Sequence, residues 1–225
     1  MESLYDKNGL VFWNEDEIRI RQIMADHFKS NIHGCLKTQN RAWEFVQVEA
    51  PVLMPAEWVN RQYLEEDSAF RIGQQESLDL ALRPETTHGS YVYAKHLLGT
   101  HSGYRMPLCV WQHGKSFRAE QDQPTTKMRL KEFHQLEFQC IYSPSTKCDY
   151  SEKLIPVVQQ VISEFIGPCR TEASDRLPAY AEWTTDIVCE KTDMEVCSIS
   201  MRKDFQSCRH DAKVLEVAIG TDRCV

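Results

Sequence analysis

From residue 78 to its end the sequence is dominated by short β-like segments, and helical periodicity interrupts them only once. They fall at residues 80–82, 108–112, 116–120, 132–142, 185–189, 194–200 and 214–219, with polar connections between them. A doubly wound fold needs a helix after nearly every strand, because parallel neighbours require a crossover. The observed distribution therefore predicts an α+β fold with an antiparallel sheet. Two helices accompany the strands. The first starts after Asn14, a fitting N-cap with Glu17 three residues on, and carries Ile18, Ile20, Ile23, Met24 and Phe28 at roughly helical spacing to about Ile32. The second, residues 151–165, places Leu154, Val157, Val158, Val161, Ile162 and Phe165 at helical spacing and stops at Gly167-Pro168. Pro156 is expected near its first turn, where a missing N–H costs little. Between the first helix and the β-rich part, residues 44–49 alternate like a strand and run into Ala50-Pro51-Val52-Leu53-Met54-Pro55, whose prolines bar a central ladder position.

Composition narrows the function class. The 225 residues fit a single domain, and 42% apolar with 26% charged residues is an ordinary globular mix able to bury a core. No apolar run approaches the roughly 20 residues that span a bilayer, and Met1-Glu2-Ser3-Leu4-Tyr5-Asp6 has no secretory character. A cytoplasmic protein without membrane contact is expected. The 26 basic against 33 acidic residues give a net charge of −7, which argues against sequence-independent nucleic-acid binding by charge alone. Nine cysteines without a CxxC pair read as reduced, mostly buried thiols.

The chemistry concentrates in Gly114-Lys115-Ser116-Phe117-Arg118-Ala119-Glu120, a polar Pro-containing loop over residues 121–129, and Lys131-Glu132-Phe133-His134-Gln135-Leu136-Glu137-Phe138. Residues two apart on a strand share a face, so two paired strands can set a guanidinium and carboxylates around one ligand. Arginine suits phosphate, since its planar fork binds two oxygens and stays charged. On spacing alone, a solvated face laced with ion pairs is the commoner use of such alternation.

The segment resembles motif 2 of the class II aminoacyl-tRNA synthetases, in which an F-R-x-E strand, a variable loop and an R-x-x-E-F strand surround ATP. Residues 14–55, a helix leading into a strand that closes with a proline, resemble motif 1. Residues 213–225, with Gly220-Thr221-Asp222-Arg223 after a strand, resemble motif 3. Within the class the sequence is most similar to the homodimeric glycyl type: Leu82-Arg83-Pro84-Glu85-Thr86 matches its L-R-P-E-T, and residues 179–187 and 195–205 match two further stretches. The resemblance implies a class II catalytic domain over residues 1–225 that uses ATP and Mg2+ to activate a small amino acid, glycine favoured, as an adenylate. It implies Arg118 and Arg223 as catalytic residues. ATP would be held by Arg118 at the α-phosphate, Glu120 at the adenine amino group, Arg129 at the terminal phosphates, and Phe133 and Arg223 on the two faces of adenine. Glu85, Glu137 and Glu216, with Arg83 nearby, would form the amino acid site, and Glu195 a metal ligand. A tRNA acceptor end and a homodimer formed through motif 1 are the implied partners.

The match has departures. Glu216-Val217-Ala218 stands where motif 3 reads E-P-S, Thr87-His88 replace A-Q, and Pro124-Thr125-Thr126 replace a basic loop residue. The sequence stops two residues after Arg223, so neither the helix that follows motif 3 nor an anticodon-binding domain is expected. Two other readings remain open: a ligase that loads an amino acid on a carrier protein or peptide, and a non-catalytic synthetase paralogue acting as an accessory subunit.

Overall fold

A computed structural model describes residues 4–5, 9–66, 68–75, 78–99, 103–119, 129–175, 177–206 and 211–225. In chain order the elements are β1 (Leu4–Tyr5), β2 (Val11–Phe12), α1 (Glu15–Gln39), β3 (Glu44–Gln47), β4 (Leu53–Pro55), α2 (Arg61–Glu65), β5 (Arg71–Gln75), β6 (Leu78–Leu82), α3 (Thr87–Gly99), β7 (Leu108–Phe117), β8 (Glu132–Tyr142), α4 (Tyr150–Ile166), β9 (Cys169–Ala173), β10 (Ala181–Cys189), β11 (Met194–Arg202) and β12 (Lys213–Gly220). Single 3-10 turns follow β4 and β12.

A seven-stranded sheet in the order β3-β7-β8-β12-β11-β10-β9 organises the structure. Every pairing in it is antiparallel except β3 with β7, which is parallel. The strand that runs into Pro51 lies at the sheet edge, where a following proline costs no ladder bond. The segment expected at 108–112 and the start of the one expected at 116–120 belong to a single strand, β7, which ends at Phe117. Its Gly114 lacks the Cβ that would strike the Arg83 guanidinium.

Alternation sorts the sheet into two faces. Leu136, Phe138 and Cys140 of β8 and Leu215, Val217 and Ile219 of β12 join the core shared with α1 and α4. The intervening residues, Phe133, Gln135, Glu137 and Gln139 on β8 and Glu216 and Ala218 on β12, therefore face the other side, as a period of two requires. That second face is part apolar, where α3 packs Tyr91, Ala94, Leu97 and Leu98 over Leu108, Val110, Ile141 and Val214. Its centre carries the polar residues.

Two expectations about α1 change. It begins as predicted, with Asn14 and Glu17 closing a capping box, but runs seven residues past Ile32 to Gln39. Its buried stripe is Met24, Ala25, Phe28, Ile32 and Leu36, at the i, i+4 spacing of one face. Ile18, Ile20 and Ile23 instead project outward, 52%, 38% and 49% exposed. In α4, Pro156 lies in the second turn rather than near the first, seven residues past the N-cap Asp149, so one i to i−4 bond is absent there. The burial of Leu154, Val158, Val161 and Ile162 holds the helix regardless.

Helix α3 is absent from the sequence reading. It opens Thr-His-Gly-Ser, a run of poor helix formers. Tertiary packing overrides that: a Cβ on Gly89 would collide with the Ala50 side chain, so glycine lets α3 press onto the segment before Pro51. A second, three-stranded sheet, β4-β6-β5, carries α2 beside it and has its own small core of Met54, Ala56, Val59 and Ala81. Backbone N–H groups of Phe117 and Ala119 donate to Arg83 O (2.9 Å) and Ser68 O (2.8 Å), tying this sheet to the end of β7. Eight cysteines are free thiols, six of them buried, and Cys208 lies outside the described residues. Among the described helices none is long and apolar enough to cross a membrane.

Candidate active site

A cavity of about 390 Å³ opens on the polar face of the large sheet. Its wall includes Arg118, Arg129, Phe133 and Arg223 as well as Glu85, Glu137, Glu195 and Glu216. Eight of the ten residues singled out in the sequence thus meet in one hollow. Glu120 lies outside the described residues. Arg83 is not part of the wall. Its buried guanidinium donates to Ala50 O (2.6 Å) and Lys115 O (2.7 Å) and reaches Gln112 Oε1 (3.3 Å), which ties the segment before Pro51 to β7. Burial pulls its pKa down, against the pull of Glu137 and Glu49.

At one end the wall is cationic. Arg118 follows β7, Arg129 precedes β8 and Arg223 follows β12. Arg118 Nε donates to Pro84 O (3.1 Å) and Nη2 to Tyr63 Oη (3.1 Å). The Phe133 and Tyr63 ring centroids both lie 5.2 Å from its guanidinium carbon, within cation–π range. Arg223 Nη1 donates to Glu195 O (2.7 Å). Burial lowers the Arg223 pKa, Glu195 opposes that, and Arg118 and Arg129 add to it; three guanidiniums this close favour an anionic ligand.

The 3-10 turn that carries Arg223 is anchored by its neighbour. Asp222 Oδ1 accepts from Arg21 Nη1 of α1 at 2.7 Å, and Asp222 Oδ2 accepts from His134 N at 2.7 Å. Arg21 and Asp222 are both buried. The pair fixes Arg223 relative to Phe133, which precedes His134.

Carboxyl groups crowd the other end. Arg202, behind the wall and fully buried, reaches Glu216 Oε2 (2.8 Å), Asp204 Oδ2 (2.6 Å) and Glu85 Oε1 (3.4 Å), with its guanidinium carbon 3.8 Å from the Tyr180 ring centroid. Burial would raise Glu85, but Arg202, then His88 and Arg118, outweigh it and hold that carboxyl well below the usual range. Glu137 goes the other way. Desolvation, then Glu216 and Glu85, push it up to about 8, against hydrogen bonds from Thr86 and Thr87.

The geometry of Thr87 asks for the same proton. Its hydroxyl lies 2.8 Å from both Glu137 Oε2 and Glu216 Oε2, yet carries one hydrogen. With Glu137 protonated the chain closes: Thr86 donates to Glu137 (2.6 Å), Glu137 to Thr87, and Thr87 to Glu216. One guanidinium then faces an excess of carboxyl groups. A buried negative excess of this kind is costly unless a cation arrives.

A second pair of carboxyl groups lies between the two ends. Ser198 Oγ is 2.9 Å from Asp186 Oδ1 and 3.0 Å from Glu195 Oε1. Burial, then Glu195, raises Asp186 despite the Ser174 and Ser198 hydrogen bonds. Hard oxygen donors around one hydroxyl suit a divalent cation whose other ligands are phosphate oxygens. Among the described residues, no group of three or more His, Cys, Asp and Glu is placed to hold a metal unaided.

Sequence reasoning missed Arg202, Thr87, Tyr63 and Asp222. The Arg202–Asp204 pair is local in sequence, with Asp204 two residues past the end of β11. Tyr63 has no local signal, because its relation to Arg118 depends on how the small sheet docks.

The model of the tRNA synthetase class II core domain (G, H, P, S and T) matches residues 70–222. Glycine–tRNA ligase of Mesoplasma florum is 24% identical over 186 residues, 78% of this chain and 40% of the relative. That of Mycoplasma mycoides subsp. mycoides SC is 27% identical over 170 residues, 73% of this chain and 34% of the relative. The chain therefore spans less than half the length of these relatives. The crystal structure of prolyl-tRNA synthetase from Cryptosporidium parvum, complexed with halofuginone and AMPPNP, aligns over 97% of this chain and 47% of that one, with TM-score 0.66 and 14% identity. That likeness speaks to the fold, a mixed α+β sheet of the class II kind. The family match, extending over most of the chain, identifies it as a member of the class II tRNA synthetase core family.

Proposed function

We propose that the chain is a catalytic unit that activates a small amino acid, glycine favoured, as its adenylate at the expense of ATP. One observation carries this reading: a cation-lined end and a carboxyl-lined end share a single cavity, as a pair of substrates with phosphates and an ammonium requires. An amino acid carboxylate oxygen attacks the α-phosphorus, the bond to the bridging oxygen breaks, and pyrophosphate leaves with the electron pair. No general base is needed, because the carboxylate is already ionised. The protein's task is positioning and charge stabilisation.

Arg118 holds the α-phosphate and its developing charge, Arg129 the terminal phosphates, and Phe133 and Arg223 flank adenine. Glu120 reads the adenine amino group in this proposal. Glu85, Glu137 and Glu216 receive the ammonium. Arg83 acts from outside the pocket, by bracing the segment on which Glu85 stands. Glu195, with Ser198 and Asp186 beside it, would hold Mg2+, which supplies charge neutralisation on the phosphates when bound.

The acceptor of the aminoacyl group is proposed to be a tRNA acceptor end. The exposed Ile18, Ile20 and Ile23 of α1, with Val52 (38%) and Leu53 (45%) after β3, support a homodimer formed through this region.

The test is amino acid dependent exchange of labelled pyrophosphate into ATP, run over all twenty amino acids. Glycine should give the largest exchange. A folded protein that exchanges with none refutes the enzyme reading. Transfer to unfractionated tRNA then distinguishes a synthetase from a carrier ligase, and sedimentation velocity tests the dimer.

A further inference from the structure

Tyr63, on α2, reaches the junction between the two ends of the pocket. Its ring rests against the small core of Met54, Ala56, Val59 and Ala81. Its hydroxyl donates to Glu85 Oε2 at 3.0 Å and accepts from Arg118 Nη2 at 3.1 Å. Burial raises its pKa well above the ordinary phenol value, so the proton stays on the oxygen. One O–H thus bridges the guanidinium at the phosphate end and a carboxylate at the ammonium end.

Both ends of this bridge are groups that the proposed substrates claim. Phosphate oxygens at Arg118 take Nη2 from the phenol oxygen, and an ammonium at Glu85 takes Oε2 from the phenol proton. The two hydrogen bonds share the phenol oxygen and polarise each other, so the substrate that arrives first breaks one and weakens the other. The second then has a weaker contact to displace, and each must tighten the other by the same factor, because binding free energies are linked.

We propose that Tyr63 is a positioning residue that couples the ATP and amino acid subsites: its hydroxyl makes one hydrogen bond to each, and the first substrate to bind weakens the bond that the second must displace. This rests on the adenylate-forming reading above. The coupling expected is about tenfold, inside the roughly 5- to 150-fold range usual for linked sites.

The experiment measures the dissociation constant of α,β-methylene-ATP, which cannot form an adenylate, by calorimetry with and without saturating glycine. Wild type should bind the analogue about tenfold more tightly when glycine is present. Tyr63→Phe keeps the ring over Arg118 and removes the bridge, so the ratio falls to about one while the analogue alone binds as tightly as before or tighter. Tyr63→Leu should lose the ratio equally and also weaken the analogue alone, because Arg118 loses one of its aromatic neighbours. A role limited to wall packing would lower both affinities and leave the ratio intact, and that result overturns the proposal, as does a ratio of one in wild type. The ratio compares one protein with itself, so a change in melting temperature does not obscure it. Absence of pyrophosphate exchange with every amino acid removes the underlying reading and the coupling together. Exchange with an unchanged ratio in Tyr63→Phe removes the coupling alone.

Discussion

Glu137 offers a perturbation whose size and sign follow from the structure. Its carboxyl goes from an ordinary value of 4.5 to about 8 on folding, because it is buried beside Glu216 and Glu85. The folded protein holds the proton that the unfolded chain releases, so stability falls as pH rises from 4.5 to about 8 and is flat beyond. The slope is about 1.4 kcal/mol per pH unit. Two other buried groups act in overlapping or adjacent windows. His113, lowered to about 4 by burial and then by His134 and Arg21, stays neutral in the fold, so it loses stability as pH falls below 6.5. Glu85, whose folded value is depressed, loses its contribution as pH falls below 4.5. Between 4.5 and 6.5 the slopes of His113 and Glu137 oppose each other. Between 6.5 and 8 Glu137 acts without that opposition.

Glu137→Gln keeps the volume and mimics the protonated acid, with an amide that can meet Thr86 and Thr87. Between pH 6.5 and 8 wild type should lose about 2 kcal/mol, or roughly 4–8 °C in melting temperature for a chain of this size. The variant should be nearly flat over the same window. Differencing the two curves cancels every group they share. Thermal melts at half-unit pH steps provide the measurement, and parallel curves for wild type and variant would refute the protonated-Glu137 argument, including the proton chain through Thr87. The same proton should be released when glycine binds below pH 8, because an ammonium replaces it as the partner of the carboxylate. Calorimetry in buffers of different ionisation heat reads that release directly.

Three more expectations concern single side chains. Arg118→Ala should cut glycine-dependent pyrophosphate exchange by about 100-fold or more, since it removes a donor aimed at developing charge; residual activity within a factor of about three would contradict its placement at the α-phosphate. Ala218 stands opposite Ser198 on one side and Glu137 on the other, so Ala218→Ser sets a hydroxyl beside the carboxyl cluster. It should raise discrimination of glycine over alanine about tenfold in kcat/KM, and an unchanged ratio would separate that position from specificity. Arg21→Ala leaves Asp222 buried with, among the described residues, the His134 ring and backbone N–H beside it, and urea denaturation should show a loss of about 3 kcal/mol.

The sequence carries the large sheet well because its signals are local. Period-two alternation and the stop at Gly167-Pro168 depend on neighbours in the chain. β8 was bounded correctly at both ends, and Asn14 with Glu17 marked the start of α1. What failed depended on partners distant in sequence. Ile18, Ile20 and Ile23 are as apolar as the true core residues of α1, and only the position of α4 decides which stripe is buried. Helix α3 has poor intrinsic propensity and exists because Gly89 fits against Ala50. At the site, the carboxylates and Arg83 are named from motifs, but Arg202 is not. Arg83 is two residues from Glu85 in the sequence and Arg202 is 117 away, yet the fold makes Arg83 a brace outside the pocket and Arg202 the buried counter-ion of Glu85.

A net charge of −7 argues against nucleic-acid binding by total charge alone, while strand register gathers positive charge at one place. In the β7–β8 hairpin Phe117 pairs with Glu132, and in the β12–β8 pair Gly220 lies opposite Gln135. The end of β7, the start of β8 and the end of β12 therefore meet at one edge, and Arg118, Arg129 and Arg223 follow or precede those three strand ends. Glu216 pairs with Gln139 and Ala218 with Glu137, which puts the carboxyl cluster farther along the same strands. Four residue steps along β12 lead from Glu216 to Gly220, roughly 13 Å at the strand rise. That separation fits two small molecules laid end to end, one anionic and one cationic, with their reacting atoms at the junction. A slip of one residue in the β8–β12 register would turn Glu216 into the apolar core, so the apolar face that packs on α1 and α4 also enforces the polarity of the pocket. Local field and fixed geometry, rather than total charge, decide what such a surface binds.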